Sequence, residues 1–410
     1  MSAANRSKTK LMPQIDTVFL NGIRPILALW VALGHFYAFI GGHDFIKIPV
    51  LGNIILNNPA AVDSFMLITG FLMMYHYTLR VPVASPNAKT TIIDFWLKRL
   101  FRLYPVYIFS IVVAFLLADD NYHWIGENYT YFTGNKANFT APPLSGSSTA
   151  YFDLLLHLTF LHGFFSGFNI SLLGPAWSLS TEVQFYFLFP FIFLLFKIPS
   201  PRLTSRTLIF LIEAVLLSYL SLILLGDWGP SGLFLQLGAP STVFHKLSYF
   251  MIGMAAALAV LQRISYVPII AWVVFSVFFQ DKLSSITIAI LLLLLFSGSY
   301  KNYIPIIVYR FILFIKQSLS SNLSQLGSDL TYSIYLVHMI LMPGIVNFVI
   351  NHTKFGKQET AAIALCIFLL VTILTSYILY QFIEKPFINY GKQLLKRRQL
   401  DRKLPQKPLM

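Results

Sequence analysis

The chain has 410 residues, 56% of them hydrophobic and only 11% charged, with a mean hydropathy of +0.68. A soluble domain carries about 25% charged residues, so a soluble fold is excluded, and several apolar runs approach the ~20 residues that cross a bilayer. The formal net charge of +14 would suit a nucleic-acid partner, but the placement of the charges below removes that need; the single Cys366 excludes an intrachain disulfide and a cysteine-based metal cluster.

Residues 1–17 form a short basic tail with Arg6, Lys8 and Lys10, placed in the cytoplasm by the positive-inside rule. The first span is LNGIRPILALWVALGHFYAF, Leu20 to Phe39, with Asn21 as a plausible N-cap and Pro25 in the first turn, where its missing N–H costs little. It is too long for a cleavable signal, and FIGGHDF after it offers no cleavage site. The second span is about 60–79 and ends at Arg80. The segment TTIIDFWLKRLFRLYPVY then brings Lys98, Arg99 and Arg102 to the mouth of a third span at about 103–118.

Residues 119–150 are the longest polar stretch, acidic at first, then rich in Tyr, Asn, Thr and Gly, and are placed outside. Residues 151–172 are apolar but hold His157, His162, Gly163 and Gly167. If both this run and the next, 176–196, crossed, Lys197, Arg202 and Arg206 would face outward, so 151–172 reads as re-entrant. Later spans fall at about 207–226, 243–262, 266–280, 284–299, 329–350 and 360–383, with 303–317 a short cationic interfacial helix and 385–410 a basic, frayed tail. The expected fold is all-α and polytopic: about ten transmembrane helices, one re-entrant segment, both termini cytoplasmic, and one membrane domain over 18–387. Of the 30 Lys and Arg, this leaves outside only Lys47, Lys136, Lys246, Lys282, Lys354 and Lys357. No internal repeat is visible, unlike many transporters.

Arg24 and His35 are eleven residues apart on the first span. That is three turns plus about 20°, so both face one side, separated by about 16 Å along the axis. Intramembrane ionisable residues are functional candidates, although a snorkelling Arg and a structurally bonded His would give the same pattern. Arg99 and Arg102 share a helical face and with Arg24 make three guanidiniums suited to phosphate, or simply to anchoring at the membrane surface. In GPAWSLSTEVQFYFLFP, Glu182 falls in the first two turns of an apolar helix. A capping box is weakened because Leu179 stands three residues earlier. At similar depth to His35, Glu182 would orient that imidazole.

Asp63 lies near the outer face, and His338 about nine residues into its span, with Asp329 at the entrance; a lone His of this kind is more often structural. His76, His157, His162 and Glu213 are weaker candidates, and the spacing of His157 and His162 does not suit a metal pair. No metal is expected. No Walker or GxGxxG loop is present, and the serines of WSLS lack a nucleophile elbow.

Taken in order, R-x10-H (Arg24, His35), AVDSFMLITGF, R-x-x-R (Arg99, Arg102), FRLYPVY, GPAWSLSTEVQFY, YSIYLVH and FIEKPF resemble acyltransferase family 3, integral membrane acyltransferases, from about Leu20 to Phe387. Asn21 and Pro25 depart from the usual L-D-G-L-R-G, and Thr181–Glu182–Val183 from V-E-E, leaving Glu182 as the matching acid. No appended SGNH-type hydrolase domain is expected after the last span. The resemblance implies transfer of an acyl group, by default acetyl, from cytoplasmic acyl-CoA to a hydroxyl of a surface polysaccharide or lipid-linked sugar, in a bacterial inner membrane.

In that scheme Arg24, Arg99 and Arg102 hold the CoA phosphates. His35 is general base or transient acyl carrier, and Glu182 its orienting carboxylate. Ser178, Ser180 and Tyr186 are candidates for the oxyanion donor, and Asp63 and His338 for support. Tyr122, Trp124, Tyr129 and Tyr131 would stack on sugar or anchor at the interface. The expected partners are membrane lipid and an extracytoplasmic glycan acceptor. A proton-coupled transporter or flippase using His35, Glu182 and His338 is the alternative, and a non-catalytic scaffold the third reading.

Overall fold

The computed structural model describes residues 16–42, 49–80, 88–135, 147–165, 167–197, 202–225 and 241–401. The amino-terminal basic tail, Lys47, Lys136 and the last nine residues lie outside them. Among the described residues there is no strand. In chain order the helices are α1 (Val18–Phe39), α2 (Pro49–Leu56), α3 (Pro59–Arg80), α4 (Ala88–Leu116), α5 (Ala118–Thr133), α6 (Ser148–Leu158), α7 (Ala176–Lys197) and α8 (Leu203–Leu225). They continue as α9 (Val243–Val260), α10 (Val267–Phe279), α11 (Lys282–Leu295), α12 (Ile306–Leu319), α13 (Asn322–His352), α14 (Lys357–Leu379) and α15 (Lys385–Asp401).

Among the described residues seven helices are long and apolar enough to cross a bilayer, and an eighth if α2 and α3, bent by 49° at their junction, count as one span. The other two expected spans are α10 and α11, of 13 and 14 residues. At 1.5 Å per residue they reach about 20 Å, short of a ~30 Å hydrocarbon core. The basic cluster Lys98–Arg102 does not precede its helix but lies inside it, because α4 starts at Ala88 and runs for 29 residues. The polar stretch after α4 begins as a helix, α5, closed by Gly134 in the left-handed region (φ 76°). The region expected to be re-entrant forms α6, of 11 residues, then irregular backbone with a 3-10 turn at His162–Phe164. The tail expected to fray is helical through Asp401.

Two packing features position the site. The first joins α3 and α9 with almost no gap. A Cβ on Gly70 would overlap the Phe250 carbonyl, and one on Gly253 would overlap that of Leu67. Glycine at these two places lets the backbones touch, as small residues do in membrane helix pairs. The second is α1 against α13: Pro25 meets Gly327 at one end, and Asn21 donates through Nδ2 to Gln325 Oε1 (3.1 Å).

Prolines inside helices free carbonyls that must be satisfied elsewhere in a membrane. Pro190 leaves the Tyr186 carbonyl without its helical donor, and Trp96 Nε1 supplies one at 3.0 Å, tying α4 to α7. Tyr332 of α13 donates to the Leu103 carbonyl of α4 (2.8 Å). No residue of α12 is buried; it presents Ile307, Phe311 and Phe314 outward beside Arg310 and touches α1 at its end, where Lys316 sits 4.5 Å over the Phe19 ring.

Gly70→Ala or Gly253→Ala is expected to destabilise the folded chain by about 1–3 kcal/mol or more, by overpacking. Gly126→Ala, where an added Cβ meets nothing within 4 Å, serves as control. Thermal unfolding of the purified variants in detergent measures the difference.

Candidate active site

The first element of the site is set by α1 alone. Pro25 sits in its second turn without breaking it, so Arg24 and His35 stay on one continuous helix. Both are half-buried and turned into the bundle. Opposite His35 stands His338, fully buried on α13. His35 Nδ1 lies 2.9 Å from His338 Nε2, with the rings 9° from parallel.

The partner of His35 is therefore His338, not Glu182. The hydrogen positions follow from the backbone. His338 Nδ1 faces the Ile334 carbonyl at 3.1 Å, and a carbonyl only accepts, so Nδ1 carries the proton. With neutral rings, His338 Nε2 is then an acceptor, His35 must donate from Nδ1, and His35 Nε2 is left with a free lone pair. The histidine judged more often structural is the one that sets the tautomer of the other.

Glu182 lies deeper along α7 than its pairing with His35 required. The helix begins beside Tyr335: the Pro175 carbonyl accepts from Tyr335 Oη at 3.3 Å, and Gly174 neighbours Met339. About two turns further in, Glu182 joins the arginines instead. Tyr186 Oη donates to Glu182 Oε1 in a short hydrogen bond, and Thr69 Oγ1 donates to the same oxygen at 3.3 Å. Arg24 is in electrostatic contact with Arg102, Glu182 and Arg99. The Arg99 guanidinium sits 5.1 Å over the Tyr186 ring and 5.7 Å over Phe95. The structure thus brings the three arginines together, with a carboxylate among them.

A second carboxylate completes this cluster, and its importance was missed in the sequence. Glu384 is 3% exposed, ends a π-helical turn (Tyr380–Glu384) between α14 and α15, and accepts from Ser333 Oγ at 3.2 Å. Arg102 and Arg24 are the cations that act on its carboxylate. Pi-turns inside helices are frequent at functional sites because the extra residue redirects side chains. The signal available was Glu384 itself, an acid inside FIEKPF at the end of an apolar run.

A cavity of about 60 Å³ lies against Arg24 and Glu182 and is lined also by Thr69, Ser178, Tyr332 and Tyr335; His35, His338, Arg99, Arg102 and Glu384 are not on its wall. Its upper wall is Tyr335, whose ring is 6.1 Å from that of His338. The expected oxyanion donors are engaged. Ser178 Oγ donates to the Pro175 carbonyl (3.0 Å) and lies 2.6 Å from Tyr335 Oη. Ser180 Oγ donates to the Phe160 carbonyl (2.7 Å), and the Tyr186 hydroxyl is held by Glu182. Ser180 thus pins the irregular segment before α7, where Phe160 takes a left-handed φ of 59°.

Asp63 stands apart from the arginines. It is 1% exposed, paired with Lys246 Nζ at 2.8 Å, and accepts from Ser284 Oγ at 2.8 Å, joining α3, α9 and α11. Lys246, expected outside, is mostly buried. His157 and His162 are buried and stacked at 4.0 Å, with His157 Nδ1 2.9 Å from Asp153 Oδ1. Among the described residues, no group of three or more His, Cys, Asp or Glu is arranged to hold a metal ion.

Lys246→Ala is expected to cost about 3–5 kcal/mol, because it leaves Asp63 buried without its cation. Thermal unfolding tests this; activity per folded molecule is expected to hold, which separates Asp63 from the reacting groups.

A family model described as an acyltransferase domain matches residues 17–381. "Nose resistant to fluoxetine protein 6" of Caenorhabditis elegans is 27% identical over 197 residues, 43% of this chain and 22% of that protein. "Acyltransferase MdmB" of Streptomyces mycarofaciens is 29% identical over 187 residues, 43% of this chain and 40% of that protein. The match spans less than half the length of either relative. No solved structure matches. The family match covers Arg24, His35, Arg99, Arg102, Glu182 and His338 alike, and the chain belongs to acyltransferase family 3.

Proposed function

We propose that the enzyme transfers an acyl group, by default acetyl, from acyl-CoA to a hydroxyl of a surface polysaccharide or lipid-linked sugar, with the donor entering from the cytoplasm. The observation that carries this reading is the hydrogen-bond order at His35. A general base needs an unshared lone pair and a fixed ring, and the Ile334 carbonyl, His338 and His35 in series provide both. Arg24, the one arginine of the cluster on the same helix, stands three turns from His35, and α4 brings Arg99 and Arg102 to it. Guanidiniums at Arg24, Arg99 and Arg102 suit the phosphates of CoA, and an extended pantetheine arm suits the distance of about 16 Å to His35.

In the reaction, His35 Nε2 takes the proton of the acceptor hydroxyl as its oxygen attacks the thioester carbonyl. The C–S bond then breaks, and the imidazolium returns the proton to the thiolate. His338 accepts the Nδ1 hydrogen throughout and holds the ring, the part expected of Glu182. Glu182 and Glu384 instead offset the charge of the guanidiniums from within electrostatic range. The positive-inside rule supports a cytoplasmic arginine end, and the family suggests a bacterial inner membrane.

The test uses the purified chain in proteoliposomes with radiolabelled acetyl-CoA and longer acyl-CoAs, and glycan fractions as acceptors. His35→Ala is expected to lower transfer by about 10²–10⁴-fold with unchanged protein level, and His338→Ala by less. Retained transfer in His35→Ala rules out the mechanism, and no transfer from any acyl-CoA rules out the donor. Arg102→Lys is expected to raise KM for the donor with little change in kcat, because lysine loses the bidentate contact.

A further inference from the structure

A second cavity, of about 200 Å³, lies between α7, α8 and α9, away from the arginines and histidines. Its walls include Phe196, Phe210, Leu217, Leu247 and Met251, and its one ionisable group is Glu213. Glu213 sits near the middle of α8, an apolar helix long enough to cross the bilayer. It is exposed, and among the described residues it makes no hydrogen bond or ion pair.

A carboxylate at that depth costs several kcal/mol unless something meets it, and such residues pair with a partner or mark a ligand path. Among the described residues no cation pairs with Glu213; Arg206, two turns earlier on α8, instead donates to the Leu195 carbonyl at 3.2 Å. The cavity is also open toward lipid, since Leu195 and Leu217 on its rim are 53% and 37% exposed. The countercharge must therefore come from the occupant, and the walls call for an apolar body. We infer that the groove between α7, α8 and α9 binds a membrane-dissolved lipophilic amine, its hydrocarbon body on Phe196, Phe210 and Met251 and its ammonium on Glu213. This site does not take part in the acyl transfer proposed above and stands independently of it. The Phe185–Phe250 stack, with ring centroids 3.9 Å apart, lies between the neighbouring helices α7 and α9, and Phe250 itself lines the central cavity.

The test is photolabelling of the full-length chain in phosphatidylcholine nanodiscs with a diazirine-bearing dodecylamine. The comparison probe is the same molecule ending in a hydroxyl. Saturable labelling of α7 and α8 peptides is expected, with the amine half-saturating at a concentration at least ten-fold below that of the alcohol. Glu213→Gln is expected to erase that preference while leaving alcohol labelling unchanged. Leu217→Trp, which fills the groove but keeps Glu213, is expected to remove labelling by both probes. Folding of each variant is checked by its elution profile. Equal saturation by amine and alcohol in the unmodified chain overturns the proposal, and so does amine labelling that survives Leu217→Trp. A dimer that dissociates on Glu213→Gln overturns it too, because Glu213 would then face a second copy.

Discussion

The pairing of α1 with α13 is the constraint from which the site follows. Neither helix can act alone. α1 carries a guanidinium and an imidazole on one side, and α13 brings the acceptor nitrogen that decides which proton that imidazole keeps. Close contact between Pro25 and Gly327 at one end and the Asn21–Gln325 bond fix the register. A slip of one residue along α13 would turn His338 by about 100° away from His35. The rest of the bundle holds this pair from outside: α4 through Tyr332, α7 through Pro175 and Tyr335, and α3 with α9 as a closely packed wall.

Much of this was legible in the sequence, for physical reasons. Eight of the ten expected spans correspond to the seven long helices and the bent pair, because twenty apolar residues in a row have few other uses. Arg24 and His35 could be placed on one face because helical periodicity holds within a single unbroken element. The arginines of α4 could be grouped with Arg24 because the positive-inside rule collects cations at one membrane face; they repel one another, and Glu182 offsets that repulsion. What depended on the meeting of different helices was not legible. Glu182 was placed at the depth of His35 on the assumption that α7 starts at a membrane surface; it starts beside Tyr335, well along α13. The pairing of Lys246 with Asp63 joins two helices far apart in sequence and was not legible either.

The short helices fail for a different reason. Hydropathy runs over 266–280 and 284–299 measure how apolar a segment is, not where its helix stops. Asp281 breaks the run, caps α11 by accepting from the Ser284 backbone amide at 2.7 Å, and leaves two short helices. The hydroxyls of WSLS illustrate the same limit. As a string they are free donors, yet in the fold they close backbone carbonyls that apolar surroundings would otherwise leave unsatisfied. Buried serines in this chain mostly do the work of water.

The π-turn at Tyr380–Glu384 has an effect beyond the one side chain it redirects. It adds a residue without interrupting the helix, so α14 and α15 share a path but not a phase. Loss of a single residue there would restore an ordinary helical repeat and swing everything after it by about 100°. Glu384 would leave the guanidiniums, and Gly391 would leave the Phe101 ring it faces on α4. Length in this segment is thus more tightly fixed than most of its side chains.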